Sequence, residues 1–131
     1  AVGKQRVVKV GASDWSYLLD DRGQALRILD ANQRQIAAFG PMIGAVRLER
    51  VEDIAVDSVH GLYLLDRDLK RISVVNLRAT PDGKIGAVVV GSFVIPQDGE
   101  RGLKNPWAIG AAPDGSLVVA GKGAARVMRL R

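Results

Sequence analysis

Apolar residues in this chain come in short runs of three to five, bounded by Gly, Asp, Asn and Pro. Runs of that length punctuated in that way predict strands and turns, and a helical spacing is hard to find. Strands are expected over residues 7–10, 15–19, 25–29 and 35–39, then over 54–56, 62–65, 71–77 and 85–95, and last over 107–111, 117–120 and 126–130. One stretch, residues 44–53, also admits a helical turn through Val46, Arg47, Leu48, Glu49 and Arg50. The turns have local causes. Pro81-Asp82-Gly83 and Pro113-Asp114-Gly115 combine a fixed φ, a side chain that bonds the backbone, and a residue tolerant of positive φ. Asp20-Asp21-Arg22-Gly23 and Asp66-Arg67-Asp68 suit hairpins between adjacent strands.

The strand pattern repeats. A shift of 46 residues lays 8–20 over 54–66 without a gap, so that Tyr17-Leu18-Leu19-Asp20 meets Tyr63-Leu64-Leu65-Asp66. Arg27-Ile28 then falls near Arg71-Ile72 with a shift of two residues, and a third copy lies 55 residues beyond the second, with Val118-Val119 over Tyr63-Leu64 and Arg126-Val127 over Arg71-Ile72. The longer spacing is taken up between Ala79 and Lys104, by a long fourth strand and a Pro96-Gln97-Asp98-Gly99 loop. Four strands in a period of this size match a propeller blade of about 40–50 residues. A lone four-stranded sheet cannot cover both its faces, whereas a stacked one can, and its inner strands are then expected to be apolar throughout. Leu62-Tyr63-Leu64-Leu65 and Leu117-Val118-Val119-Ala120 read that way; Ile72 and Val74 alternate with Ser73.

The second copy runs Leu48-x-x-Val51-x-Asp53-Ile54-Ala55-Val56-Asp57, Gly61-Leu62-Tyr63-Leu64-Leu65-Asp66, Arg71-Ile72. The third runs Leu103-x-x-Pro106-x-Ala108-Ile109, Pro113-Asp114-Gly115-x-Leu117-Val118-Val119-Ala120, Arg126-Val127. Both resemble the NHL-type β-propeller repeat; the first copy keeps the tyrosine, the leucines and Asp20. The chain departs from that repeat where its glycine before Ile becomes Asp53 or Ala108, and where the turn aspartate becomes Gly121. The resemblance implies an all-β fold of antiparallel four-stranded blades in one partial propeller unit, with repeats at about 1–46, 47–102 and an incomplete 103–131. A small β-sandwich or barrel is the alternative. Two full blades and three strands of a third leave strand edges and apolar faces uncovered. The remaining blades are therefore expected elsewhere on the polypeptide or on a partner copy.

Composition narrows the chemistry. Apolar residues at 47% and charged residues at 25% describe an ordinary globular chain, and the 15 glycines are dispersed as turn punctuation. There is no cysteine and one histidine, His60, which excludes disulfides, thiol catalysis and a multi-histidine metal site within these residues. No apolar run has the length of a membrane-spanning helix. The formal charge of +5 permits an acidic partner or nucleic acid, but the basic residues are scattered, most densely at Arg126, Arg129 and Arg131. The chain begins at Ala1, which fits an exported, processed bacterial protein and fits a trimmed piece equally.

The remaining candidates read first as structure. Asp20 and Asp66 are turn aspartates accepting backbone N–H groups, with Arg27 and Arg71 within reach. His60 is a solvated turn residue. Glu49, Glu52, Asp53 and Asp57 pair at the surface with the interleaved Arg47 and Arg50. Trp15 and Trp107 pack between blades. If a partner binds, Trp15, Trp107, Arg129 and Arg131 are the expected contacts, since Trp and Arg dominate interface energetics. No phosphate loop, nucleophile elbow or metalloprotease motif occurs, and no cofactor is expected. The leading functional expectation is a non-catalytic protein- or ligand-binding module. The resemblance also implies two others, an RNA-binding propeller and a metal-dependent lactonase-type enzyme.

Overall fold

A computed structural model describes residues 5–96, 103 and 105–129. It is built of strands, with one 3-10 turn at Ala12–Asp14. The first sheet is a meander of β1 (Gln5–Val10), β2 (Ser16–Asp20), β3 (Leu26–Leu29) and β4 (Gln35–Phe39). A hairpin of two short strands, β5 (Met42–Ile43) and β6 (Val46–Arg47), leads to the second sheet. That sheet is the meander β7 (Val51–Val56), β8 (Gly61–Asp66), β9 (Arg71–Ala79) and β10 (Ile85–Val94). The third sheet has β11 (Ala108–Ala111), β12 (Ser116–Gly121) and β13 (Ala124–Arg129). All pairings are antiparallel between chain neighbours. Among the described residues no helix is long and apolar enough to cross a membrane.

Every expected strand is present, but the helical turn considered for 44–53 is not. Met42 pairs with Arg47 and Ile43 with Val46 there, a hairpin that buries Ile43. The Pro96–Gly99 loop lies outside the described residues except for Pro96.

The sheets stack. Tyr17, Leu19, Leu26 and Ile28 of the first sheet pack against Ile54, Leu62, Leu64, Val75 and Leu77 of the second, with Ile43 and Leu48 of the connection completing the cluster. Ala55, Tyr63, Leu65 and Ile72 project from the opposite face of the second sheet and pack against Ile109, Leu117 and Val119 of the third. The first strands of the three sheets are neighbours: β7 touches both β1 and β11. Six consecutive residues of β8 are buried because both faces of the sheet are covered. β12 keeps the alternation of a half-covered strand, with Leu117 and Val119 buried and Val118 exposed.

Strand register corrects two alignments, those of Arg27 and of Arg126 with Arg71. Leu19 pairs with Leu26 and Leu65 with Ile72, so the first two hairpins have equal length and no two-residue shift exists. Arg27 and Arg126, opposite Leu18 and Val119, are equivalents; Ser73, opposite Leu64, holds that place in the second sheet. Arg71 lies two residues earlier, opposite Asp66.

Candidate functional site

The aromatic and imidazole side chains of the first two repeats converge at the end of the sheets formed by the β1–β2 and β7–β8 turns. In the second turn, Asp57 Oδ1 accepts the N–H groups of Val59 (2.9 Å) and Gly61 (2.7 Å), and Oδ2 accepts the Tyr63 hydroxyl (2.8 Å). This closes the turn with His60 in the left-handed region (φ 62°), a conformation costing a non-glycine residue about 1 kcal/mol. The His60 carbonyl accepts the Leu77 N–H at 3.4 Å and ties the turn to β9. A Cβ on Gly61 would lie 2.7 Å from Asp57 Cγ, so the carboxylate can fold back only over glycine.

In the first turn, Ser13 and Asp14 are also left-handed (φ 60° and 58°), and the Gly11 N–H donates to the Trp15 carbonyl at 3.0 Å. The turn delivers the Trp15 indole onto the His60 imidazole, with ring centroids 4.1 Å apart and planes 27° from parallel. Beneath them Tyr17 is fully buried. Its hydroxyl and His60 Nδ1 are buried without a hydrogen-bond partner among the described residues. Buried polar groups are nearly always satisfied, so two orphans in one cluster mark this end as unfinished. Left-handed non-glycine residues likewise gather where a fold holds a surface ready.

The electrostatics follow from these contacts. Partial burial works against ionisation of Asp57, but the Val59 N–H, the Tyr63 hydroxyl and the Gly61 N–H together hold its carboxyl below the usual range. Tyr63 is pushed up to about 12 by burial and by its bond to Asp57, and Tyr17 to about 12 by burial and by the Asp57 charge. A raised tyrosine pKa leaves the folded state neutral while the unfolded chain ionises, so stability is complete below pH ~10 and falls as pH rises toward 12. The melting temperature should therefore drop steeply across that interval, and Tyr63→Phe should flatten the drop; an unchanged alkaline profile in Tyr63→Phe would refute the assignment. At neutral pH the same variant is expected to lose about 1 kcal/mol, the net worth of one hydrogen bond.

The expected contact residues are dispersed. Trp15 joins the cluster and also packs on the first core. Trp107 does not pack between sheets: it stands just before β11 with 56% of its surface exposed, at the end of the third sheet away from the β11–β12 turn. The two tryptophans thus sit at opposite ends of their sheets. Arg129 ends β13 opposite Ser116; its side chain, and Arg131, fall outside the described residues.

Asp20 and Asp66 are turn aspartates, as expected: Asp20 Oδ1 accepts the Gln24 and Ala25 N–H groups, and Asp66 accepts those of Leu69 and Arg50. Arg27 donates to Gln35 and not to Asp20. His60 is half-buried against Trp15 rather than solvated. Of the four acids expected at the surface, Glu49 and Glu52 pair with Arg47 (3.1 Å) and Arg67 (3.9 Å). Asp53 differs. It is 8% exposed, accepts the Ile109 N–H at 2.8 Å, and lies 3.6 Å from Lys9 Nζ, joining all three sheets at their first strands.

Other concavities carry less. A cleft of about 320 Å³ between the β5–β6 connection and the second sheet is lined by Val46, Arg47, Asp66, Arg71, Ser73 and Ser92, and its buried carboxylate, Asp66, is already satisfied by backbone amides. Among the described residues no three His, Cys, Asp or Glu side chains converge as a metal site would require.

Sequence reasoning weighed Trp15 and His60 separately. A signal for their meeting was available: a shift of 46 residues places Trp15 on Gly61, next to His60, so both belong to the same turn of successive repeats. Comparison with protein-family models gives no match, and comparison with curated proteins gives none.

Proposed function

We propose that this chain is a run of NHL-like β-propeller blades that acts as a non-catalytic binding module, and that the Trp15–His60 end is its contact surface. The observation that carries this reading is the stacked pair itself, held by left-handed turns above two unpartnered buried polar atoms. Loops on a rigid scaffold are where binding groups are displayed, and amphipathic rings are the usual anchors of an interface. The same end carries Asp14, Asp30, Asp57, Asp82 and Asp114, one on each turn that leaves an odd-numbered strand of a meander. Asp30 is paired with Arg34 of its own turn at 3.2 Å; the other four carboxylates favour a protein partner that presents cationic or aromatic groups and disfavour a phosphate backbone.

Panning a random peptide library on the immobilised protein tests the reading. Enriched peptides should be rich in Arg, Lys or aromatic residues. Trp15→Ala should weaken them at least tenfold, while Val90→Thr, on the exposed side of β10, leaves them unaffected. Binders indifferent to Trp15→Ala would overturn the assignment of this surface. Lactone hydrolysis by the metal-supplemented protein would overturn the non-catalytic reading.

A further inference from the structure

Within the chain one kind of interface is used twice. Register makes Tyr17, Tyr63 and Val118 equivalent, since each sits opposite the corresponding residue of the next strand, Ile28, Val74 and Val127. Leu18, Leu64 and Val119 are equivalent by the same pairing. The Tyr17 face of the first sheet packs on the Leu64 face of the second, and the Tyr63 face of the second packs on the Val119 face of the third. Each sheet thus offers its tyrosine-type face to the leucine-type face of the next. The relation is head to tail.

Two faces remain: the Val118 face of the third sheet and the Leu18 face of the first. Gly110, Val118 and Val127 lie abreast on the former, flanked by Ala108, Ala120 and Ala125. None is ionisable, and Val118 and Val127 are 39% and 66% exposed. On the free face of the first sheet, Leu18 is abreast of Arg27 and Ala38, and Val10 (67% exposed) is aligned with Ser16 and Leu29. The face of the third sheet is apolar at these positions and that of the first mixes apolar residues with Ser16 and Arg27; exposed apolar surface of this kind is rarely left to water.

We propose that these two faces pair between two copies of this chain, head to tail at both junctions, closing six sheets into one ring. The occupant is a second copy because each face is the repeat-equivalent of the surface that already covers its counterpart twice within the chain. A head-to-tail interface closes when the accumulated rotation returns on itself, and propellers do so with about four to eight blades. Closure rests on the propeller reading; the pairing of the two faces rests on register alone. The new junctions lack the buried carboxylate of the second internal junction, as the first internal junction does, where Val7 pairs with Leu19. Ala108 stands where Asp53 stands in the second sheet, since Asp53 pairs with Leu65 and Ala108 with Ala120. Among the residues named on the two faces the one charge is Arg27, which donates to Gln35 of its own sheet, so no ion pair among them holds the junction and it should resist salt, which screens only charged contacts.

Light scattering on the 131-residue chain is the test, and it should give twice 14.0 kDa at low and high salt alike. Val127→Glu and Val10→Glu alter exposed side chains on the two free faces, so each variant should melt as a folded protein and dissociate at least tenfold more readily. Mixed in equal amounts, the two variants should re-form a dimer, because each retains the face the other has lost. A monomeric wild type overturns the pairing and leaves the propeller reading intact. A dimer that survives Val10→Glu but not Val127→Glu identifies a symmetric pairing of third sheets and overturns the head-to-tail relation. An elongated X-ray scattering profile for a head-to-tail dimer, or growth into longer oligomers, overturns closure and with it the propeller reading.

Discussion

Gly23→Ala is expected to destabilise the chain by about 2–4 kcal/mol, summing a positive-φ cost of about 1 kcal/mol and a steric cost of about 1–3 kcal/mol typical of overpacking. Gly23 follows Asp20 in the β2–β3 turn at φ 68°, and its carbonyl accepts the Val51 N–H at 3.0 Å. That bond brings the turn of one sheet onto the first residue of the next. A Cβ there would lie 2.5 Å from the Val51 nitrogen and 3.0 Å from its carbonyl carbon. Both are backbone atoms of a buried strand end and neither can swing aside. Gly83 provides the control: it has φ 82° but nothing within 4 Å of an added Cβ. Gly83→Ala should show only the conformational part, about 1 kcal/mol. Denaturant midpoints of the two variants separate the terms, and equal losses would mean that the turn–strand contact contributes nothing.

Asp53→Ala is expected to cost about 2–4 kcal/mol, because it strands a buried N–H whose acceptor was a charged group. Ile109 N–H has Asp53 Oδ2 as its partner at 2.8 Å, and Lys9 loses its counter-ion at 3.6 Å. Asp53→Asn keeps an acceptor for Ile109 and gives up only the ion pair with a partly exposed lysine, so it should recover most of the loss. Hydrogen exchange at Ile109 gives the local readout. It should accelerate strongly in Asp53→Ala and modestly in Asp53→Asn; equal protection in both would show that the carboxylate does not hold the third sheet.

The strands were legible because their boundaries are set locally. Pro81-Asp82-Gly83 and Pro113-Asp114-Gly115 announce their turns, and the tyrosine–leucine runs announce the buried strands between them. The β5–β6 hairpin was not, since two-residue strands have no period to read. Asp53 was misjudged for a different cause. Its neighbours Glu49, Glu52 and Asp57 made it look like one of a surface group, yet it faces the adjacent first strand, at a position that holds Ala108 in the third sheet. The residue that breaks a repeat was the better guide than the local charge pattern. Trp15 and His60 meet only when two sheets stack, and no single turn contains that information. Val118 shows the converse. An all-apolar run predicts a strand covered on both sides, and here the run is present while one side is open.

The full burial of β8 also bears on how the chain could be divided. Its Leu62 and Leu64 side rests on the first sheet and its Tyr63 and Leu65 side on the third. In a linear array each unit is stabilised by its immediate neighbours, so the middle sheet has no half that can be spared. Trimming at the β4–β7 connection would bare one side of it, and trimming before β11 the other. For anyone subcloning or grafting this fold, the smallest piece worth expressing is all three sheets together.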